Sequence, residues 1–327
     1  MRILLVGLGS IGLRHLRLLQ EREPVASLAV VSARELPQEF SNLTRFPTLT
    51  QAVQWEPTLT LVTNPAPKHV ETALEFGRCG SHLFIEKPLS NTLSGVDELL
   101  ALCAKKNLVC MVGYMLRFFE PLVVMKQALE QGKVGKVFSI SASVGQYLPD
   151  WRAGRDYRQT VSATEALGGG VLLELSHELD YVRWLLGEIE SVRATTARVS
   201  DLEIDVEDSA EITLTFANGA VGQIHLDMLD RAAHRDCRIV GSAGTLLWQS
   251  EQGHRVQLRS TENSDWVDLR AAGAIDPDRM YRAQLDHLFA CIEGKQQPMV
   301  SGEVGRRVLE LVLAAKQSGE THARQNV

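Results

Sequence analysis

Cysteine is scarce: the 327 residues include five, and no two form a CxxC pair. This odd, scattered set predicts neither a disulfide framework nor a zinc site, and we expect no bound metal. No apolar run is long enough to span a membrane, and the chain opens directly on an apolar segment, MRILLVG, with no basic leader. We therefore expect a soluble cytoplasmic protein that does not insert into membranes.

An excess of positive charge is also missing, since 34 Lys and Arg stand against 40 Asp and Glu, for a net charge of -6. A protein that binds nucleic acid or an anionic membrane usually carries a basic surface, so neither partner is expected. The length favours roughly two domains, and the 45% apolar content is enough to fill two cores.

Up to residue 119, short apolar runs alternate with amphipathic ones, as in RILLVG, GLRHLRLLQ, LTLVTNP, VETALEFGRCG and HLFIEKP. Strands that alternate with helices form parallel sheets covered on both faces. Residues 1–119 are therefore predicted to form a Rossmann domain, a doubly wound α/β sheet.

Residues 120–327 follow a different pattern and are predicted to form an α+β domain with a large, mostly antiparallel, open sheet. Two alternating strands flank Asn218-Gly219, which predicts a two-residue hairpin turn. Helices are expected at about 121–131, 170–186, 279–294 and 301–318. The uncovered face of such a sheet favours a homodimer or homotetramer that forms through it.

The segment ILLVGLGSIGLRHL contains the spacing G-x-G-x-x-G between a predicted strand and a predicted helix. Glycines at these places permit a tight turn, close approach to a pyrophosphate, and close packing of helix on strand. The phosphates would lie at the helix N-terminus. The candidate cofactor-binding residues here are Gly7, Gly9, Ser10, Ile11 and Gly12.

The second predicted strand, AVVSAR, ends on Ser32 and Arg34. An NAD site usually has an acidic residue there to bind the ribose 2′-hydroxyl. A hydroxyl and a guanidinium instead suit a 2′-phosphate, so NADP is favoured as the cofactor. NAD remains the alternative if Arg34 is an ordinary surface arginine and the ribose is held elsewhere.

Seven segments together resemble the glucose-fructose oxidoreductase, inositol dehydrogenase and MocA (Gfo/Idh/MocA) family: GLGSIG, TNPAPKHVETAL, EKPLS, GYMLRF, GKVGKV, GGGVLLELSHELD and GSAGTL. The resemblance covers nearly the whole chain. It implies hydride transfer between nicotinamide and a carbon of a sugar, sugar acid, nucleotide sugar or cyclitol. The cofactor-binding residues that it implies are Asn64, Pro65, His69, Glu86, Lys87 and Arg117.

Lys87 follows a predicted parallel strand, and ligands of parallel sheets bind outside the carboxyl ends of the strands. Its ammonium group can then donate to the oxygen that gains charge when a carbonyl is reduced. His177 is the second catalytic candidate, since an imidazole can take the proton of an alcohol. The alternative for Lys87 is a lysine that only pairs with Glu86.

Glu174 and Asp180 are the candidate supporting carboxylates, because a helix would put them on the same face as His177. Glu174 also marks a departure from the family pattern. Many relatives have Asp four residues before the histidine, whereas Glu174 stands three before it. Catalysis is therefore assigned mainly to Lys87 and His177.

The segment GQYLPDWRAGRDYRQTVSATEALGGG interleaves arginines with aromatic residues. Guanidinium groups bind carboxylates and phosphates, and aromatic faces pack against sugar rings. This composition favours an acidic or nucleotide-linked sugar; the alternative is that the arginines brace the loop against Asp150, Asp156 and Glu165. The candidate substrate-binding residues are Tyr147, Trp151, Arg152, Arg155 and Tyr157.

Three functions remain open at this stage. The leading one is an NADP-dependent dehydrogenase or reductase of a carbohydrate. The second is a glycosidase or lyase that oxidises its substrate transiently and recycles the bound cofactor. The third is a sensor that binds NADP without catalysis.

Overall fold

The structure, a computed structural model, describes residues 1–22, 27–33, 35–152 and 154–327. Strands and α-helices alternate over the first 114 residues, except that β2 is followed by β3 with no α-helix among the described residues between them. The elements are β1 (Arg2–Val6), α1 (Ser10–Glu21), β2 (Ser27–Val31), β3 (Thr44–Phe46), α2 (Leu49–Val53), β4 (Leu59–Val62), α3 (His69–Arg78), β5 (His82–Ile85), α4 (Val96–Lys106) and β6 (Cys110–Val112).

These strands form a six-stranded parallel sheet in the order β3-β2-β1-β4-β5-β6. In β1, Ile3, Leu4 and Leu5 are fully buried, as expected for a strand that is covered on both faces. The strand order reverses between β1 and β4, where doubly wound sheets open a crevice at the carboxyl ends of their strands. The predicted Rossmann sheet is confirmed.

The rest of the chain builds a second sheet and the helices that cover it. Its elements are α5 (Glu120–Glu130), β7 (Val137–Gly145), α6 (Val171–Glu174), α7 (His177–Leu186), β8 (Ile189–Ala197), β9 (Ser209–Phe216), β10 (Val221–Asp227), β11 (His234–Gly241), β12 (Gly244–Gln249), β13 (Arg255–Ser260), β14 (Val267–Arg270), α8 (Arg279–Ile292), α9 (Gly302–Thr321) and β15 (Gln325–Asn326).

The second sheet has nine strands in the order β14-β13-β12-β11-β7-β10-β9-β8-β15. Neighbouring strands pair antiparallel except β7 and β10, which run parallel. In β9, buried Ile212 and Leu214 alternate with exposed Glu211 and Thr213, so one face is apolar and the other polar. The predicted antiparallel sheet is confirmed, and assembly through its polar face stays a prediction.

The chain divides into two compact units that differ from the predicted boundary at residue 119. Met1–Tyr114 and Tyr281–Leu309 form unit 1; Met115–Met280 and Glu310–Val327 form unit 2. Residues 281–309 join unit 1 through side chains of α8. The rings of Tyr281 and His15 lie nearly perpendicular with their centres 5.9 Å apart, and the guanidinium of Arg22 lies 4.3 Å from the centre of the Phe289 ring. Such contacts leave no local signal in the sequence.

The predicted continuous helix at about 170–186 is wrong, because the structure breaks it into α6 and α7. Leu175 leaves the helical conformation, with φ -103° and ψ 24°. The hydroxyl of Ser176 donates to the carbonyl oxygen of Leu173 at 3.0 Å, a local bond with which serine competes against a regular helix.

The turn between β9 and β10 also differs from the prediction. Phe216 and Ala220 are paired, since the N–H of Phe216 donates to the Ala220 carbonyl, so the loop has three residues rather than two. The N–H of Gly219 donates to the Phe216 carbonyl, and Gly219 has a φ of +82°. A turn closed by a left-handed glycine is the usual three-residue form.

His225 on β10 makes a prediction about stability. Its ring nitrogens lie 2.8 Å from Asp227 Oδ2 and 2.6 Å from Glu211 Oε1. These hydrogen bonds, chiefly the one with Asp227, raise the pKa of His225 to about 9. Unfolded histidine titrates near ~6.5, so the stabilisation is complete below that pH and is lost as the pH rises through about 9.

We expect the free energy of unfolding of the wild type, minus that of His225→Gln, to fall from pH ~6.5 to pH ~9 in denaturant titrations. His322→Gln, which removes an exposed imidazole, is the matched control. A His225 difference that stays constant over this pH window would contradict the two-carboxylate bridge.

Candidate active site

Two glycines allow close backbone approach at the turn between β1 and α1, Gly7 to the end of β4 and Gly12 to Gly7 itself. A Cβ on Gly7, whose φ is +105°, would lie 2.6 Å from the backbone nitrogen of Asn64. A Cβ on Gly12 would lie 2.1 Å from the carbonyl oxygen of Gly7. The same oxygen accepts a hydrogen bond from Thr63 Oγ1 at 2.7 Å. Only glycine fits these two positions without moving backbone.

Gly9 is under no such constraint. Its φ of -71° suits any residue, and no atom of the described chain, beyond its immediate neighbours, lies within 4 Å of a Cβ built on it. Gly9 is the N-cap of α1, and the first turn of this helix contains no acidic residue. Because helix N-termini favour anions, the open space beside Gly9, with Ser10 and Ile11 next to it, fits a dinucleotide pyrophosphate.

An arginine that the sequence analysis did not predict, Arg45 on β3, contacts the end of β2. Ser32 is half-buried there, and its contact with the cofactor stays a prediction, whereas Arg34 lies outside the described residues. Arg45 on β3 donates through Nη1 to the Ser32 carbonyl at 3.3 Å and pairs with Glu35 at 3.3 Å. Arg45 was not predictable as a neighbour of Ser32, because β3 meets β2 only in the folded sheet.

His69 ties together the turns after β4 and β5. Its Nδ1 lies 2.9 Å from the Pro88 carbonyl oxygen and its Nε2 lies 2.7 Å from the Asn64 carbonyl oxygen. Burial lowers the pKa of His69, while both hydrogen bonds oppose the shift. Pro65 is half-buried in the turn that His69 holds. The structure shows that His69 fixes the turn that contains Asn64 and Pro65. The contact of these three residues with a nicotinamide stays a prediction.

Glu86 is a buried carboxylate at the carboxyl end of β5. Its Oε1 lies 2.6 Å from Nε2 of fully buried His15, and its Oε2 accepts the backbone N–H of Lys87 at 3.1 Å. A Cβ on Gly113, just past β6, would lie 2.9 Å from Oε2. The half-buried Lys87 is thus held by a turn that is anchored to α1, and His15 is an anchor that the sequence did not reveal.

In unit 2, His177 is the first residue of α7 and is 4% exposed. Asp180 forms an ion pair with Arg117. The Nη2 of Arg117 donates to Asp180 Oδ1 at 2.7 Å, and its Nε donates to Asp180 Oδ2 at 3.0 Å. Burial raises the pKa of Asp180, and Arg117 opposes that rise. Arg117 is 5% exposed, so this buried pair fixes α7 within the unit. Its predicted cofactor contact stays a prediction.

Glycines and a carboxylate position α6, which carries half-buried Glu174. A Cβ on Gly169 would lie 2.3 Å from the Val161 carbonyl oxygen. Gly170 has a φ of +103°, and its Cβ would lie 2.5 Å from Glu207 Oε1. That oxygen accepts the N–H of Leu172 at 3.2 Å, so Glu207 caps the helix N-terminus. Burial raises the pKa of Glu207.

The predicted substrate loop is partly self-braced. The Tyr157 hydroxyl accepts the N–H of Glu203 at 3.2 Å. The bracing alternative applies to Arg158, which bonds Asp156 at 2.9 Å and Glu203 at 2.7 Å. Half-buried Arg152 and exposed Arg155 form no ion pair within the described part of the chain.

The aromatic rings of this loop are held in place. The guanidinium of Arg231 lies 3.9 Å from the centre of the Tyr147 ring, a cation–π contact. The indole nitrogen of Trp151 donates to the Gln146 carbonyl at 2.8 Å. Of the predicted substrate residues, Trp151 lines a cavity of about 430 Å³ within unit 2. The sequence missed its other polar walls, which include His234, Arg235, Glu251 and His254.

Two kinds of feature are missing from the ranges that the structure describes. In those ranges, no group of three His, Cys, Asp or Glu side chains is arranged to hold a metal ion. None of the helices described there is both long and apolar enough to cross a membrane.

Comparison with known proteins gives consistent matches. The model described as "Oxidoreductase family, NAD-binding Rossmann fold" matches residues 1–114, and the GFO/IDH/MocA C-terminal domain model matches residues 122–247. Myo-inositol 2-dehydrogenase of Thermotoga maritima is 27% identical over 337 residues, which cover 98% of this chain and 96% of the relative. The 1,5-anhydro-D-fructose reductase of Ensifer adhaerens is 26% identical over 77% of this chain and 74% of its own.

Among solved structures, the WlbA dehydrogenase from Bordetella pertussis, in complex with NADH and UDP-GlcNAcA, superposes with a TM-score of 0.85. It is 22% identical and the match covers 100% of this chain and 98% of that one. At this identity the likeness concerns the fold.

The Rossmann sheet, the glycine turn and these matches define an NAD-binding oxidoreductase. The two family models together cover more than half of the residues. The chain belongs to the Gfo/Idh/MocA oxidoreductase family, which confirms both the resemblance and the prediction of an enzyme.

Gly9→Ala tests the pyrophosphate site. Because a Cβ at Gly9 meets no described protein atom within 4 Å, we expect a thermal midpoint near that of the wild type. We expect NAD(P)H affinity to fall about tenfold or more, since the methyl group would occupy the space of the phosphates. Fluorescence titration measures the affinity and calorimetry the midpoint.

Gly12→Ala is the contrasting variant, because its Cβ lies 2.1 Å from a carbonyl oxygen and must disturb the fold itself. Unchanged affinity in Gly9→Ala would remove Gly9 from the cofactor site.

Proposed function

We propose that this enzyme is an NADP-preferring dehydrogenase or reductase that transfers a hydride between nicotinamide and a carbon of a sugar, sugar acid, nucleotide sugar or cyclitol. The open helix N-terminus at Gly9 is the observation that carries the proposal. A Cβ at Gly9 would meet no described atom within 4 Å outside its immediate neighbours, so the space in front of the helix is open to a phosphate group. The relatives named above, a cyclitol dehydrogenase and a sugar reductase, support this class of substrate.

Proton transfer is assigned to Lys87 and His177. A nicotinamide cofactor held at the Gly9 turn would supply the hydride chemistry. When an alcohol is oxidised, the His177 imidazole takes the hydroxyl proton. In the reverse direction, the Lys87 ammonium donates a hydrogen bond to the carbonyl oxygen as negative charge develops on it, and the protonated His177 imidazole returns the proton to that oxygen. The anchoring of Glu86 by His15 supports this role for Lys87, because it fixes the backbone of the lysine.

The preference for NADP rests on the cations near the end of β2. Arg34 follows Ser32 in sequence, and a guanidinium can pair with a 2′-phosphate in a fork. Arg45 supports this assignment, since its guanidinium reaches the Ser32 carbonyl from β3. No acidic residue stands at Ser32, Ala33 or Arg34 to select a 2′-hydroxyl.

The proposed substrate is an acidic or nucleotide-linked sugar. Arg152 and Arg155, whose guanidinium groups form no ion pair among the described residues, support this choice, because an unpaired guanidinium is available to a carboxylate or phosphate. The relative of similar fold that was solved with UDP-GlcNAcA is consistent with it.

Cofactor preference gives the first test of the proposal. We expect NADPH to bind more tightly than NADH, and Arg34→Ala to lower NADPH affinity by about tenfold with little effect on NADH, because the guanidinium pairs with the 2′-phosphate alone. Fluorescence titrations of both cofactors measure this. Arg17→Ala, at an exposed position on α1, is the matched control. A wild type that prefers NADH would refute the assignment to NADP.

Lys87→Met and His177→Asn test the proton-transfer roles. We expect either change to lower kcat by about 100-fold or more, with cofactor affinity within a few-fold of the wild type, because each removes a proton-transfer group rather than a phosphate contact. Stopped-flow and steady-state absorbance assays on a panel of neutral and acidic sugars measure these effects. Lys105→Met, at an exposed position on α4, is the control for loss of a lysine.

Net cofactor turnover separates this function from its alternatives. A dehydrogenase changes nicotinamide absorbance in proportion to product. Product without net absorbance change would identify a glycosidase or lyase that recycles its cofactor. Cofactor binding without turnover of any sugar in the panel, with Lys87→Met preserving the biological output, would identify a sensor.

A further inference from the structure

The 430 Å³ cavity in unit 2 borders the segment that carries His177. Leu175, which forms part of its wall, lies in the break between α6 and α7, two residues before the histidine. The other walls come from the end of β7, the start of β11 and the turn between β12 and β13. The cavity is therefore within reach of a ligand that also contacts the start of α7.

Three basic side chains line this cavity, and they differ in what they offer to a ligand. His234 has both ring nitrogens engaged, Nε2 with Ser143 Oγ at 2.8 Å and Nδ1 with Asp230 Oδ2 at 2.9 Å. Burial lowers the pKa of His254, and the positive charges of Arg270 and Arg235 act in the same direction. Arg235 remains as the side chain with a permanent positive charge.

Arg235 forms an ion pair with a buried carboxylate. Its Nε lies 2.8 Å from Oε1 of Glu178, whose side chain is fully buried, while 24% of the arginine side chain is exposed. The backbone N–H of Arg235 donates to Ser250 Oγ at 2.7 Å. Glu178 follows His177 directly in α7, so one buried ion pair fixes the guanidinium relative to the histidine's helix.

Trp151 and Glu251 complete the chemistry of the wall. The Trp151 indole is oriented by its bond to the Gln146 carbonyl, so its ring is a preset apolar surface for a sugar ring. Glu251 is exposed, and solvent therefore screens its charge more effectively than that of half-buried Arg235.

We propose that this cavity binds the acidic group of the substrate, a sugar carboxylate, and that Arg235 is the residue that selects for it. This inference rests on the proposed function at one point: it assumes that the ligand of the cavity is the substrate of the dehydrogenase. Arg235 then acts as a specificity-determining residue, positioned by Glu178, and Trp151 packs against the ring that carries the carboxylate.

Arg235→Lys is the first test. It keeps a cation beside Glu178 but loses the planar fork that binds a carboxylate through two nitrogens. The probes are D-glucuronate, D-glucose and D-glucose 6-phosphate, each titrated by calorimetry against the NADPH-loaded enzyme. We expect the wild type to bind glucuronate about tenfold more tightly than glucose, and Arg235→Lys to lose most of that difference with glucose affinity unchanged.

A double variant guards against loss of the fold. Arg235→Gln alone would remove the cation next to a buried carboxylate, so Arg235→Gln is combined with Glu178→Gln, which removes both charges together. We expect this double variant also to lose the preference for glucuronate. Arg238→Lys, on the exposed side of the same strand, should keep it.

The outcomes separate this inference from the function on which it rests. A wild type without preference for glucuronate over glucose, or a preference that survives in both Arg235 variants, overturns the inference, as does a loss confined to Arg152→Gln/Arg155→Gln. Tighter binding of glucose 6-phosphate than of glucuronate, lost in the Arg235 variants, would overturn the carboxylate in favour of a phosphate. Arg235-dependent binding of glucuronate without hydride transfer would leave the carboxylate site standing and defeat the proposed dehydrogenase.

Discussion

The buried contact between Glu86 and His15 is the constraint on which the cofactor half of the enzyme depends. The carboxylate joins three elements: α1 through the imidazole, β5 through its own backbone, and the Lys87 turn through a backbone N–H. Gly113 at the end of β6 leaves the space that the carboxylate fills. Helix α1 and the turn that carries Lys87 are therefore both bonded to the same side chain.

In unit 2, three further carboxylates bind backbone N–H or guanidinium groups around the His177 segment. Glu207 caps α6, Glu178 holds Arg235, and Asp180 holds Arg117. A buried carboxylate needs a cation or several hydrogen-bond donors, so each of these side chains permits one arrangement of its neighbours. The short helix α6 therefore combines its own backbone hydrogen bonds, such as Glu174 N–H to the Gly170 carbonyl, with the cap from Glu207.

Local features of the fold were predictable from the sequence. Runs such as Ile3–Val6 predict buried strands, and Gly7, Gly9 and Gly12 mark the turn, because strand burial and glycine conformation act within a few residues. The break at Leu175 was missed, since the side chain of Ser176 and the cap by Glu207 outweigh the helical periodicity. The three-residue hairpin at Gly219 was missed because asparagine-glycine fits more than one turn.

The sequence alone therefore determined the fold class of both domains and the place of the glycine turn between β1 and α1, because both are set by local patterns. Only the tertiary structure decided which charges meet. Arg117 and Asp180 are 63 residues apart in the chain, and Arg235 on strand β11 meets Glu178 on helix α7. No periodicity encodes such pairs, because their energy depends on burial and on distances set by the packed sheet.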